Sequence, residues 1–143
     1  MTEAASTASE AESSRAVAVT LTSFGFKYGL PPDAEWVVDA RVVRNPFWVP
    51  ELRPFTGLDA SVRDYVLEDP VAGELLDRVL AIMTWSSQRY AERGRDVLSV
   101  AVGCTGGRHR SVAIVEALAA RLREDRLIPS VVHRDVDTPD PRY

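Results

Sequence analysis

The stretch Val97-Leu98-Ser99-Val100-Ala101-Val102-Gly103-Cys104-Thr105-Gly106-Gly107-Arg108-His109-Arg110-Ser111 decides the fold. Its first six residues, VLSVAV, form a continuous apolar run of strand length, the pattern of a buried parallel strand. Gly103, Gly106 and Gly107 then break the run, and a helix is expected from about Arg110 to Glu124. A strand that enters a glycine-rich turn and then a helix gathers backbone N–H groups and the positive end of the helix dipole around one concavity, where anions bind. The three glycines admit φ > 0 and a close ligand approach. Thr105 and Ser111 add hydroxyls, and Arg108, His109 and Arg110 add donors.

Outward from this loop the chain alternates. Ala16 to Phe24 (AVAVTLTSF) reads as a first strand, followed by turn chemistry in FGFKYGLPPD. Trp36 to Ala40 is a short apolar strand ending in the polar Asp39 and Arg41. The proline- and aromatic-rich stretch from Arg44 to Gly57 predicts a structured loop packed on the domain. Helices are expected over Leu58 to Leu67 and Pro70 to Glu92. In the second, Ala72, Leu75, Leu76, Val79, Leu80, Met83 and Tyr90 make one apolar face, and Gly94 closes it. A last strand is expected over Arg126 to His133. The sum is an α/β fold: a single three-layer or two-layer domain with a mainly parallel sheet and a strand, Gly-rich loop and helix forming a phosphate site. In open sheets of this kind ligands sit beyond the C-terminal strand ends, and Asp39, Arg41 and Lys27 are expected to converge on that rim.

Composition fits that picture. With 143 residues, 45% of them hydrophobic and 27% charged, the chain has room for one domain with one core. Residues 1–15 contain Glu3, Glu10 and Glu12 and no apolar run, so they read as a disordered acidic leader rather than a signal peptide or membrane anchor. Cys104 is the single cysteine, which excludes an internal disulfide and points to a cytoplasmic setting. With only His109 and His133 beside it, no zinc set can be assembled, and no cofactor is expected.

Three motifs compete for the chemistry. Cys104-x5-Arg110-Ser111 has the spacing of the phosphate loop of cysteine-dependent phosphatases, in which a thiolate attacks phosphorus; Cys104 and Arg110 would be catalytic in that alternative. Against it, Gly103 stands where that family has a histidine, and only Asp39 or Asp59 offers a general acid. A Walker A loop needs a lysine that this loop lacks. His133-Arg134-Asp135 superficially matches a kinase catalytic loop, but the required asparagine is Asp140, so His133 and Arg134 are expected to support the sheet edge or the ligand rim.

Four strings in order, SFGFKYG (23–29), VVDARVVRNPFWVPELRPFTGLD (37–59), VAVGCTGGRHRSV (100–112) and HRDV (133–136), resemble the C-terminal domain of the RapZ family of bacterial RNase adapters. The resemblance spans almost all of Val17 to Val136. It implies a division into the leader 1–15, a RapZ C-terminal-like domain 16–136 and a flexible tail 137–143. It further implies a non-enzymatic domain that senses a phosphorylated amino sugar and is coupled to RNA or to a protein partner, a ribonuclease or a separate ATPase chain; ATP binding is not expected, because the leader stands where the family has its N-terminal ATPase domain. By matching position the ligand contacts are Cys104, Thr105, Gly106, Gly107, His109 and Arg110, with Asp39 and Arg41. Lys27, Arg53 and Arg108 are candidates for RNA or anion contact, beside the stacking surfaces of Phe47, Trp48 and Phe55. Net charge of −4 gives the chain no global basic footprint, so RNA binding would rest on a local patch.

Overall fold

In the computed structural model the described residues are 17–139; the expected leader and the tail from residue 140 onward lie outside them. Seven regular elements follow in order: β1 (Ala18–Gly25), β2 (Trp36–Asp39), α1 (Ala60–Leu67), α2 (Pro70–Glu92), β3 (Val97–Cys104), α3 (Arg110–Glu124) and β4 (Ser130–His133). The four strands form one sheet in the order β2-β3-β1-β4, with every pairing parallel.

Strand alternation sorts the side chains. Val19 and Leu21 of β1 and Leu98, Val100 and Val102 of β3 point to one face, where they meet Val62, Val66, Ala72, Leu76, Val79, Met83, Ile114 and Leu118 from the three helices. Burying each such side chain contributes about 1.5–3 kcal/mol. The opposite face carries Thr20, Thr22 and Ser99, and its valines Val37, Val97 and Val132 stay exposed. The fold is therefore the two-layer alternative. α3 lies over β1 and β3 and is buried along most of its length, from Arg110 through Val115 and again at Leu118, Ala119 and Leu122.

Local chemistry sets the element ends. The Asp69 carboxylate accepts the Val71 N–H at 3.0 Å and so caps α2, with Pro70 at its first position. At the other end Gly94 takes φ +76°, its N–H bonds Ala91 O and the Arg95 N–H bonds Tyr90 O, the pattern of a Schellman stop. α3 ends the same way, with the Arg126 N–H on Arg123 O and the Leu127 N–H on Leu122 O, but here the left-handed residue is Arg126 at φ +64°. That turn and Pro129 consume the start of the strand expected over Arg126 to His133, which pairs only from Ser130. Because an L side chain is strained at that angle and glycine is not, Arg126→Gly is expected to stabilise the domain by about 0.5–1 kcal/mol. A thermal melt shifted up by a few degrees would bear this out, and an unchanged or lower melt would refute it.

Candidate anion-binding site

β3 delivers the chain to the C-terminal edge of the sheet at Cys104, and α3 starts at Arg110. Unlike α2, α3 has no side-chain cap: His109 occupies the N-cap position and bonds no amide there. Among the described residues the backbone N–H groups of Gly106, Gly107, Arg110 and Ser111 donate to no protein acceptor. Helix N-termini leave such donors to water or to a ligand. Of the three loop glycines only Gly107 adopts positive φ, at +77°, which corrects the expectation for Gly103 and Gly106. Gly103 is required for a different reason: a Cβ there would lie 2.5 Å from the Phe24 ring, which stands edge-on to Phe26. Gly106 sits so tightly on Gly25 that a Cβ on Gly25 would approach the Gly106 carbonyl carbon to 2.5 Å.

Arg110 is 6% exposed and turns across the loop, where its Nη1 donates to Arg41 O at 3.0 Å and Val43 O at 3.1 Å. Its Nε, also buried, has no hydrogen-bond partner among the described residues. Burial pushes the Arg110 guanidinium below its ordinary pKa, while the nearby Cys104 and Asp39 groups oppose that shift. Cys104 is 3% exposed, and its Sγ lies 3.1 Å from Ser111 Oγ. Thr105 is exposed at the loop tip, with its carbonyl accepting the Lys27 N–H.

The β2 end supplies the rim. Asp39 pairs in register with Gly103, and its carboxylate takes both the Nε and Nη2 of Arg41, at 2.9 and 2.8 Å, together with the Arg41 backbone N–H. The Arg41 guanidinium holds the Asp39 pKa below the usual carboxylate range. With both side chains about half exposed, solvent screens the pair and it adds little stability. Its effect is orientation: Arg41 also stacks over the Phe26 ring, 4.1 Å from its centroid.

His109 is buried within the site, its Nε2 3.2 Å from Arg53 O. Burial lowers its pKa below 6.5, and the neighbouring Arg108 and Arg110 charges push the same way, against the two carbonyls it faces. In the unfolded chain the imidazole protonates near pH 6.5, whereas in the fold it protonates only at lower pH. The stability of the native state is thus full above pH 6.5 and falls as pH drops through that value toward the folded pKa. The melting temperature is expected to decline on acidification from pH 7 to 5, and more in the wild type than in His109→Gln. Parallel declines in the two proteins would refute the assignment.

The remaining sequence candidates are near the loop but serve it unequally. Lys27 is exposed on the Phe26–Tyr28 turn against Thr105. Arg53 is half-buried, with its Nε donating to Phe47 O and its guanidinium over the Phe47 ring. Arg108 points away from the cradle, donating through Nη1 to Val136 O at 2.9 Å and Thr138 O at 3.3 Å. Phe47 is buried, whereas Trp48 at 70% and Phe55 at 47% exposure face solvent, so the aromatic loop is only partly packed. His133 is structural: Nδ1 meets Ser23 Oγ at 2.7 Å and Nε2 meets Glu116 on α3 at 2.9 Å.

Sequence reading singled out neither Gly25 nor Gly57 as part of the site. A Cβ on Gly57 would meet His109 O at 2.5 Å and Ala113 N at 2.6 Å, which docks the aromatic loop on the first turn of α3. The only signal was their place in the strings SFGFKYG and PFTGLD.

A parallel sheet with helices on one face, ending in a glycine loop and an uncapped helix start, defines a small α/β domain with a candidate anion site at that turn. Residues 17–137 match the family model of the RapZ C-terminal domain, and the chain belongs to that family. It is 53% identical over 120 residues to a nucleotide-binding protein of Corynebacterium efficiens, covering 83% of this chain and 38% of that protein. It is 56% identical over 117 residues to a nucleotide-binding protein of Streptomyces coelicolor, covering 82% of this chain and 39% of that protein. A nucleotide-binding protein of Rhodococcus erythropolis is 52% identical over 126 residues, with 87% and 42% covered. The chain thus spans about two fifths of the length of the curated relatives it matches. No helix among the described residues is long and apolar enough to cross a membrane.

Proposed function

We propose that this domain is a non-enzymatic sensor, acting in the cytoplasm, that binds a phosphorylated small molecule of the phospho-amino-sugar class at the 104–111 loop and passes the bound state to an RNA or protein partner. The observation that carries the reading is the set of unpartnered amides of Gly106, Gly107, Arg110 and Ser111 at an uncapped helix N-terminus, beside the unpartnered Arg110 Nε. A phosphoryl group matches these donors, and the ionised Asp39 at the rim offers an acceptor for a sugar hydroxyl or ammonium. Thermal melts with inorganic phosphate, a phosphorylated amino sugar, its unphosphorylated counterpart and a nucleotide test the reading. A ligand at 100 times its Kd adds about 2.7 kcal/mol of stability. The expected order places the phosphorylated sugar above phosphate, with the unphosphorylated sugar inert. A shift with the nucleotide alone would redirect the ligand class toward what the relatives' names describe, and no shift with any of them would sink the proposal.

A second reading, hydrolysis through Cys104, has the Cys104–Ser111 contact in its favour, since a hydroxyl at a thiolate is what such a loop needs. The low exposure of Cys104 and the engagement of Arg110 with two carbonyls weigh against it. Turnover of an aryl phosphate that vanishes in Cys104→Ser would reinstate it. If the partner is RNA, the exposed Lys27, Arg41, Trp48 and Phe55 are the candidates to meet it, and retention would fall steeply with salt and in Lys27→Ala.

A further inference from the structure

The segment after β4 lies behind the loop and is tied to it from both sides. Asp135, 7% exposed, accepts the Gly25 N–H through Oδ2 at 2.8 Å. Gly25 is the residue on which Gly106 and Gly107 stack, and a Cβ on Gly107 would lie 2.9 Å from the Asp135 Cβ. Arg134 holds the same carboxylate, with Nη2 at 2.8 Å and Nε at 3.1 Å from Oδ2, and its Nη2 also reaches Gly29 O at 2.8 Å, at the end of the turn that carries Lys27. From the loop side Arg108 returns the tie through Val136 O and Thr138 O. One carboxylate therefore fixes the end of β1, the floor under the glycines and, through Arg134, the neighbouring Lys27 turn.

We propose that Asp135 is a positioning residue for the anion cradle, holding Gly25 so that the Gly106 and Gly107 amides keep their aim; this rests on the loop being an anion site. Asp135 does not touch the ligand. A carboxylate acting only by charge would repel an anion, so both Asp135→Asn and Asp135→Ala would then bind phosphate more tightly. A positioning role separates the two: asparagine keeps an acceptor for the Gly25 N–H and alanine does not.

The test is calorimetric titration of inorganic phosphate, well below each variant's melting temperature, with amide hydrogen exchange of the ligand-free proteins. Asp135→Ala is expected to weaken phosphate binding about tenfold and to speed exchange at residues 105–108. Asp135→Asn should stay within about threefold of wild type. Should Asp135→Ala fail to fold, Arg134→Gln, which frees the carboxylate, is expected to weaken binding in the same direction. Unchanged affinity in the folded Asp135→Ala or in Arg134→Gln, or tighter binding in both Asp135 variants, overturns the positioning role alone. Absence of phosphate binding by the wild type overturns the anion reading and this role with it.

Discussion

Gly107→Ala is expected to destabilise the domain by at least about 3 kcal/mol and to abolish phosphate binding. Two costs add. At φ +77° an L residue is strained by about 1–2 kcal/mol. The new Cβ would also stand 2.5 Å from Gly25 N and 2.8 Å from Phe24 C, backbone atoms of a central strand that cannot give way. Gly94 supplies the control, because it has nearly the same φ, +76°, with nothing within 4 Å of the place a Cβ would take. Gly94→Ala should therefore cost only the backbone strain. At this chain length the difference between the two variants corresponds to roughly 5–10 °C or more in melting temperature. Equal melts for both would mean that the stacking of Gly107 on Gly25 does not matter.

Arg110→Ala is the second large effect. Its guanidinium satisfies the buried ends of the Arg41 and Val43 carbonyls, and hydrogen bonds from a charged donor are worth about 1.5–3 kcal/mol each when one partner is removed. A loss of about 2–4 kcal/mol is expected, together with the disappearance of any phosphate-induced stabilisation. Arg110→Lys should recover part of the stability but little of the phosphate response, since a single ammonium lacks the second, separate nitrogen donor that the guanidinium keeps free of the two carbonyls. A full phosphate shift in Arg110→Ala would place the ligand elsewhere.

These two residues illustrate how unevenly the site was legible. Periodicity located α2 and α3 at their observed ends, and the apolar run before Gly103 located β3, because those signals are local consequences of burial on one face or on a strand. The position of the glycine loop between β3 and α3 was equally readable, since the glycines interrupt an apolar strand just before a helical pattern. Arg110 was named as a ligand contact, but nothing in its neighbours shows that one of its nitrogens would be spent on Arg41 and Val43, whose carbonyls arrive from 69 and 67 residues away. Asp135 was set aside with a spurious kinase likeness, because its partner, the Gly25 N–H, is 110 residues distant.

What the sequence determined by itself is therefore the order and kind of elements, the place of the glycine loop and the family, each of which depends on patterns within a few dozen residues. The strand order β2-β3-β1-β4, the gathering of all three described helices on one face of the sheet and the brace behind the loop were decided only in the tertiary structure. The physical reason is that these depend on which distant backbone donors and acceptors meet when the sheet closes. The alternation of hydrophobic residues records that a face is buried but not which segment buries it.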